Sequence, residues 1–190
     1  MQLYGSTTSP YVRRIRILLA QVQHEFINLD IYQGAGRDTL AAKTPTMRVP
    51  CLDDDGQMIY DSRIIYRYLA EKYRYTPLTW DQENQLTLVD EINDSFVALF
   101  QLSKSGIEAS EDALFIRIQK ERIQASFKAL DEQVKAGHFD TWNYPAICLY
   151  ALIDWVEFRE LHKLSGLNQL KAFREKHVDR IEVTATDPRQ

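Results

Sequence analysis

Apolar positions follow two different periods along the chain, and the change between them falls near Tyr73. Before it, short alternating runs are separated by stripes at spacings of three and four; after it only the stripes remain. Met1 to Gly5 predicts a short strand. Val12, Ile15, Leu19 and Val22 then recur at helical spacing, with Ser9 ahead of them as N-cap and Pro10 in the first turn, where its missing N–H costs nothing. From Glu25 to Ile31 the pattern alternates, with Ile27, Leu29 and Ile31 on one face, and predicts a second strand. Tyr32 to Asp38, holding Gly34 and Gly36, reads as loop, and Thr39 to Lys43 as a brief helical piece closed off before Pro45.

Arg48 to Leu52 predicts a third strand, although Pro50 cannot donate to a ladder and calls for an edge position or a special backbone state. Asp53-Asp54-Asp55-Gly56 signals a turn, so Gln57 to Tyr60 returns as an antiparallel partner. Asp61-Ser62 caps a helix from Arg63 to Tyr73, with Ile64, Ile65, Tyr68 and Leu69 as its inner face. Strands joined through helices imply parallel pairing by right-handed crossovers, and the hairpin adds an antiparallel edge. Arg74 to Trp80, with Pro77 inside it, is a linker.

No convincing strand follows. Val89, Ile92, Phe96 and Leu99 mark a helix from Asp81 to about Lys104; Ser110 caps another, carrying Ile123, Phe127, Leu130 and Val134 and ending at Gly137. Asn143 caps a third, with Ile147, Ala151, Phe158 and Leu161 as its stripe. Asp154 interrupts that stripe as an inward carboxylate, which needs a partner if buried; a structural hydrogen-bonding role and a catalytic one are both open to it. Gly166 starts a shorter helix, and the polar tail after Val183 is expected to fray.

Composition narrows the function classes. A net charge of −4 argues against a sequence-independent nucleic-acid binder, which would need a basic surface. Nowhere do eighteen apolar residues run together, and the N-terminus lacks the pattern of a cleaved leader, so the expectation is a cytoplasmic protein without a membrane partner. Cys51 and Cys148, far apart in apolar surroundings, read as buried reduced thiols. His24, His138, His162 and His177 have no partners at ligand spacing, so no metal site is assigned. The acidic run Asp53 to Asp55 could suggest a metal, but reads more simply as an exposed hairpin turn. There is no nucleophile elbow, P-loop or dinucleotide-binding glycine run.

The candidate chemistry begins at Ser9. A helix start presents open N–H groups and positive partial charge, suited to an anion such as a thiolate, and Ser9 adds a hydroxyl. Arg13 and Arg14 are cations in an early helical turn, against the helix dipole. They fit either an electrostatic site or a solvated face, just as Ser9 fits either a site or a plain cap. Asp61-Ser62 offers a second helix start of the same kind.

Ser9-Pro10-Tyr11-Val12-Arg13, Val49-Pro50, and Asp61-Ser62 ahead of Ile64-Ile65-Tyr66-Arg67-Tyr68-Leu69 together resemble the cytosolic glutathione transferase family, in its bacterial form with serine at the thiolate-facing position. The resemblance implies a thioredoxin-like glutathione-binding domain over residues 1–75 and an all-helical domain over 76–190. It implies a cis bond before Pro50, with the Val49 backbone pairing with the cysteinyl part of glutathione. Arg48 would reach the glycyl carboxylate, and Asp61 and Ser62 would hold the γ-glutamyl end. Ser9 would donate to the bound thiolate for attack on a small hydrophobic electrophile. The family places the electrophile between its domains, which points to Tyr11, Phe96, Leu99 and Phe100, residues that equally fit a packed core, and it implies a homodimer. Tyr4 is another candidate hydroxyl, but it belongs to the strand, and Ser9 fits the motif better. In the resembling motif Arg13 also fits a structural ion-pairing role. Because Ser9 stands where glutaredoxin-like relatives carry a cysteine, a mixed disulfide through this residue is excluded.

The chain departs from the family pattern at Thr44-Pro45-Thr46-Met47-Arg48, near the glycyl contact, and at Ala146, where the capping box after Asn143 usually has Asp. Two other functions fit the same residues. One is a non-catalytic relative working through protein partners, like the starvation proteins that bind RNA polymerase. The other is a glutathione-dependent reductase or lyase, with Cys51 an outside candidate.

Overall fold

The computed structural model describes residues 1–107 and 110–190. The chain forms two compact units, Met1–Pro77 together with Asp179–Gln190, and Leu78–Val178.

In the first unit β1 (Gln2–Gly5), β2 (Glu25–Asn28), β3 (Cys51–Asp54) and β4 (Gln57–Tyr60) form one sheet in the order β2-β1-β3-β4. β1 and β2 are parallel; β3 runs antiparallel to both β1 and β4. This is the thioredoxin-like arrangement the resemblance implies. The register aligns Leu3, Leu52 and Ile59 across three strands, and Tyr4, Cys51 and Tyr60 beside them. Since side chains alternate across a sheet, these rows face opposite ways. The Tyr4–Cys51 row packs with Leu29 and with Leu40 of α2 (Gly34–Lys43). On the other side lies α1 (Pro10–Leu18), which packs on α3 (Ser62–Tyr73). Gly5 makes the approach of α1 possible, for a Cβ there would stand 2.5 Å from a Val12 methyl.

Several elements differ from the sequence reading. β2 stops at Asn28 rather than Ile31. α2 begins at Gly34, five residues before the expected piece. Gly36 is there for space, since a Cβ would lie 2.5 Å from the Asp30 carbonyl oxygen. β3 begins only after Pro50, which has no N–H to pair, and continues to Asp54. The hairpin turn is therefore Asp55-Gly56 alone, both with positive φ, 52° and 89°, as a tight two-residue turn requires. Asp53 and Asp54 belong to the strand: Asp53 pairs with Lys43 at 3.0 Å, and Asp54 accepts from the Tyr68 hydroxyl at 2.6 Å and pairs with Lys72. On α3, Ile65, Tyr66 and Leu69 are buried, whereas Ile64, expected inside, is 47% exposed.

The tail does not fray. Residues 181–184 form a short α8 (Ile181–Thr184), and Val183 and Thr186 are buried. Arg13, itself only 2% exposed, donates from Nη2 to the Val183 carbonyl at 3.3 Å and from Nε to the Thr186 hydroxyl at 3.5 Å. A buried guanidinium needs such acceptors, and the tail supplies them, which returns residues 179–190 to the first unit.

The second unit contains α4 (Trp80–Lys104), α5 (Leu114–Lys135), α6 (Tyr144–Phe158) and α7 (Asn168–His177). α4 opens with a capping box between Thr79 and Gln82. Its Phe96 packs against Phe127 of α5 and against His162. α5 starts after Ala113; Ser110 instead accepts from the Asp112 amide in the preceding turn, and residues 108 and 109 lie outside the described residues. α6 is buried almost throughout, capped by Asn143, which accepts from the Ala146 amide at 3.2 Å. The α7 start is capped from another helix, by Asp131 accepting from the Gln169 and Leu170 amides, both at 3.0 Å. Asp154 is 1% exposed and paired to Arg174 at 2.7 Å, which gives the buried carboxylate its structural partner. No helix among the described residues is long and apolar enough to cross a membrane.

Candidate active site

The site residues of the first unit sit at three chain turns, each fixed by local chemistry. At the first, β1 passes through Ser6 to Thr8 into α1. The Ser9 amide donates to the Ser6 carbonyl at 3.1 Å, and the Thr7 amide donates to the Asn28 side chain at 3.1 Å, tying the turn to β2. Ser9 has extended backbone, and its Oγ accepts from the Val12 amide at 3.4 Å. That bond is long, so the cap is weak. The hydroxyl oxygen is used as an acceptor, which leaves its own hydrogen to be donated.

Arg13 and Arg14 are not a solvated face. Both are buried, Arg13 on the tail and Arg14 with its guanidinium 4.8 Å from the Tyr11 ring centre. Tyr11 is half-buried beside this stack. The Tyr4 hydroxyl donates to Gln2 at 2.7 Å, and its ring lies under Lys43.

The second turn is the cis bond between Val49 and Pro50. Pairing to β1 stops at Cys51, and among the described residues no backbone hydrogen bond engages the Val49 N–H or C=O. Backbone donor and acceptor groups are thus left open beside the start of β3, where a peptide could pair. Arg48, next to it, is exposed.

The third turn enters α3. Asp61 has φ 69° and ψ 134°, an uncommon conformation for a residue with a side chain. Its Oδ1 accepts from the Arg63 amide at 2.8 Å and the Ile64 amide at 3.3 Å. The sequence reading left these helix-start amides open for a ligand carboxylate, but Asp61 occupies them itself. What this turn offers is the other carboxylate oxygen of Asp61 and, at the first helical position, Ser62, which is buried.

Cys51 is fully buried in β3, and burial pushes its thiol up to about 11, so it is protonated and unreactive near neutral pH. Of the helical-unit candidates, Phe96 is core, packed against the stacked rings of Phe127 and His162. Leu99 and Phe100 are half-buried. Burial also holds His162 below its ordinary value. Among the described residues no group of His, Cys, Asp and Glu could hold a metal ion. A structural role for Arg13 was legible, but its acceptors in the tail were not; the signal was a cation in an early turn with no acidic partner on its own helix.

Known proteins share this architecture. Residues 3–77 match the family model described as glutathione S-transferase, N-terminal domain. The structure resembles a glutathione S-transferase from Methylobacillus flagellatus, solved with glutathione bound, at TM-score 0.84 and 20% identity over 98% of both chains. It also resembles a glutathione transferase family member from Pseudomonas fluorescens, solved with bound glutathione, at TM-score 0.81 and 25% identity over 98% of both chains. In sequence the chain is 31% identical over 175 residues to the uncharacterized GST-like protein YibF of Escherichia coli, covering 85% of this chain and 84% of that one. An alignment of that identity over 85% of the chain shows that the chain belongs to the glutathione S-transferase family.

Proposed function

We propose that this protein is a cytoplasmic, bacterial-type glutathione transferase that binds glutathione in its first unit and promotes attack of the thiolate on a small hydrophobic electrophile. The observation that carries the reading is the Val49 backbone, left without a backbone partner beside the cis bond to Pro50. The cysteinyl part of the tripeptide adds there as a short strand. At one end, the second carboxylate oxygen of Asp61 takes the γ-glutamyl ammonium, and Ser62 takes its carboxylate. At the other end, Arg48 takes the glycyl carboxylate. The sulfur then faces Ser9, whose hydroxyl donates to the thiolate at the positive end of α1.

In the reaction the thiol releases its proton to solvent, the sulfur lone pair forms a bond to the electrophilic carbon, and the leaving group departs with its bonding electrons. Tyr11, Leu99 and Phe100 are the contacts proposed for the electrophile, as the family resemblance implies. The working form is a homodimer. Bound glutathione in the related structure from Pseudomonas fluorescens, at 25% identity, supports the ligand assignment.

Calorimetric titration with glutathione tests the reading. Saturable binding is expected, weakened about tenfold or more by Asp61→Ala, which removes a charged contact. No binding at several millimolar glutathione would overturn the proposal. Binding without turnover of any aryl halide would leave a non-catalytic glutathione-binding relative.

A further inference from the structure

One corner of the helical unit has a cation whose hydrogen-bonding capacity is not used by its neighbours. Arg159 ends α6, with its guanidinium carbon 4.7 Å from the Phe158 ring centre and 5.3 Å from that of Phe100 on α4. Phe100 also meets Trp155 edge to face at 6.3 Å, and the Lys104 ammonium lies 5.6 Å from the Phe100 ring centre. Aromatic rings engage the face of a guanidinium and leave its in-plane N–H groups for other partners.

Those partners are missing on the protein side. The Arg159 Nε is buried without a hydrogen-bond acceptor, and among the described residues no carboxylate pairs with Arg159. The two acids within a turn and a half of it on α6, Asp154 and Glu157, are both taken by Arg174, each at 2.7 Å. The negative end of a helix favours a cation at this position. That accounts for a basic residue, but not for one laid on two rings with donors left over.

We propose that Phe100, Lys104, Trp155, Phe158 and Arg159 form a binding site for a flat aromatic carboxylate. Its carboxylate meets the two Nη groups of Arg159, since Nε is buried, where two parallel N–H bonds can form, and its ring lies against Phe100. Lys104, exposed at the end of α4, adds a second positive charge. Phe100, Phe158 and Arg159 are half-buried, so the site is reachable and yet drier than open surface. The binding stands without glutathione. Only the further step, that the occupant is the electrophile of the proposed transfer and therefore an acidic aromatic, rests on that reading.

The test is calorimetry on the full chain with 2-naphthoate and its neutral analogue 2-naphthamide, in the absence of glutathione. The acid is expected to bind at least about tenfold tighter than the amide, the size of one charge-assisted contact. Arg159→Gln should bring the two within about twofold, and Arg159→Lys, which keeps the charge but not the fork, should fall between. Equal affinity of acid and amide for the unaltered protein overturns the proposal, as does the absence of binding by either at millimolar concentration. So does an acid preference that survives Arg159→Gln; should that variant not fold, an undiminished preference in Arg159→Lys has the same force. Titrating glutathione into the same preparation separates the two ideas. Naphthoate binding without glutathione binding removes the transferase reading alone, and the converse removes this site alone.

Discussion

Replacing Ser9 by Ala separates the helix cap seen in the structure from the thiolate donation we propose for this side chain. As a helix cap it makes one bond, to the Val12 amide at 3.4 Å, at the long end of a hydrogen bond. The stability loss should therefore fall at the low end of the range for capping serines, about 0.5 kcal/mol, a shift of a few degrees at most in melting temperature. In the proposed role of thiolate donor it would contribute a bond to a charged group, about 1.5 to 3 kcal/mol, or roughly one to two units of sulfur pKa. A free thiol near pKa 8.5 is mostly protonated at neutral pH, so such a shift decides how much nucleophile exists. The assay is the rate of conjugation to an aryl halide at saturating glutathione, followed from pH 6 to 10. The ionisation that controls the rate should move up by about one to two units in Ser9→Ala. The variant should then be about 10- to 100-fold slower on the acid limb and recover most of the rate at high pH. A profile that keeps its midpoint, whatever its height, refutes the assignment of Ser9 as thiolate donor.

Arg13→Met should lower stability by about 2 kcal/mol or more, since it leaves the buried Val183 carbonyl and Thr186 hydroxyl without their guanidinium; thermal unfolding measures the loss, and proteolysis near the C-terminus should speed up with it. Lys72, followed by the Tyr68 hydroxyl, holds Asp54 below the ordinary carboxylate value. Its contribution is therefore present above the unfolded value, about 3.9, and lost as pH falls through the folded one. Urea unfolding at a series of pH values should show a flatter acid limb for Asp54→Asn than for the unaltered chain. Cys51, with its thiol raised to about 11, should resist iodoacetamide at pH 7.5 in the native protein, and Cys51→Ala should leave the conjugation rate unchanged; rapid labelling or a large rate loss would reinstate it as a nucleophile.

The sequence was most informative where one residue type answers one local need. Ser9-Pro10 announced the start of α1, Asn143 that of α6, and Asp61 that of α3, because a capping side chain acts on amides two or three residues away. The proline in an expected strand pointed to a backbone exception, and the cis bond is that exception. What stayed hidden depends on contacts distant in sequence. Nothing near Arg13 shows that its acceptors lie 170 and 173 residues away. Nor does anything near Asp154 show that Arg174 is its partner. The glycines of α2 looked like a loop because their reason, the closeness of the Asp30 backbone to Gly36, is a matter of packing. In the candidate site, residue types were legible, but the occupation of the α3 amides by Asp61 itself was a question of geometry.

The return of residues 179–190 to the first unit sets an order of events during synthesis. A nascent polypeptide leaves the ribosome from its amino end, and leading domains generally fold while the remainder is still being made. Here the sheet and α1 can assemble early, but the Arg13 bond to Thr186 spans 173 positions and must wait until Thr186 itself has been translated. A product that stalls before that point would carry a leading lobe whose buried arginine lacks its Val183 and Thr186 acceptors, and so a weaker lobe than the one that includes them.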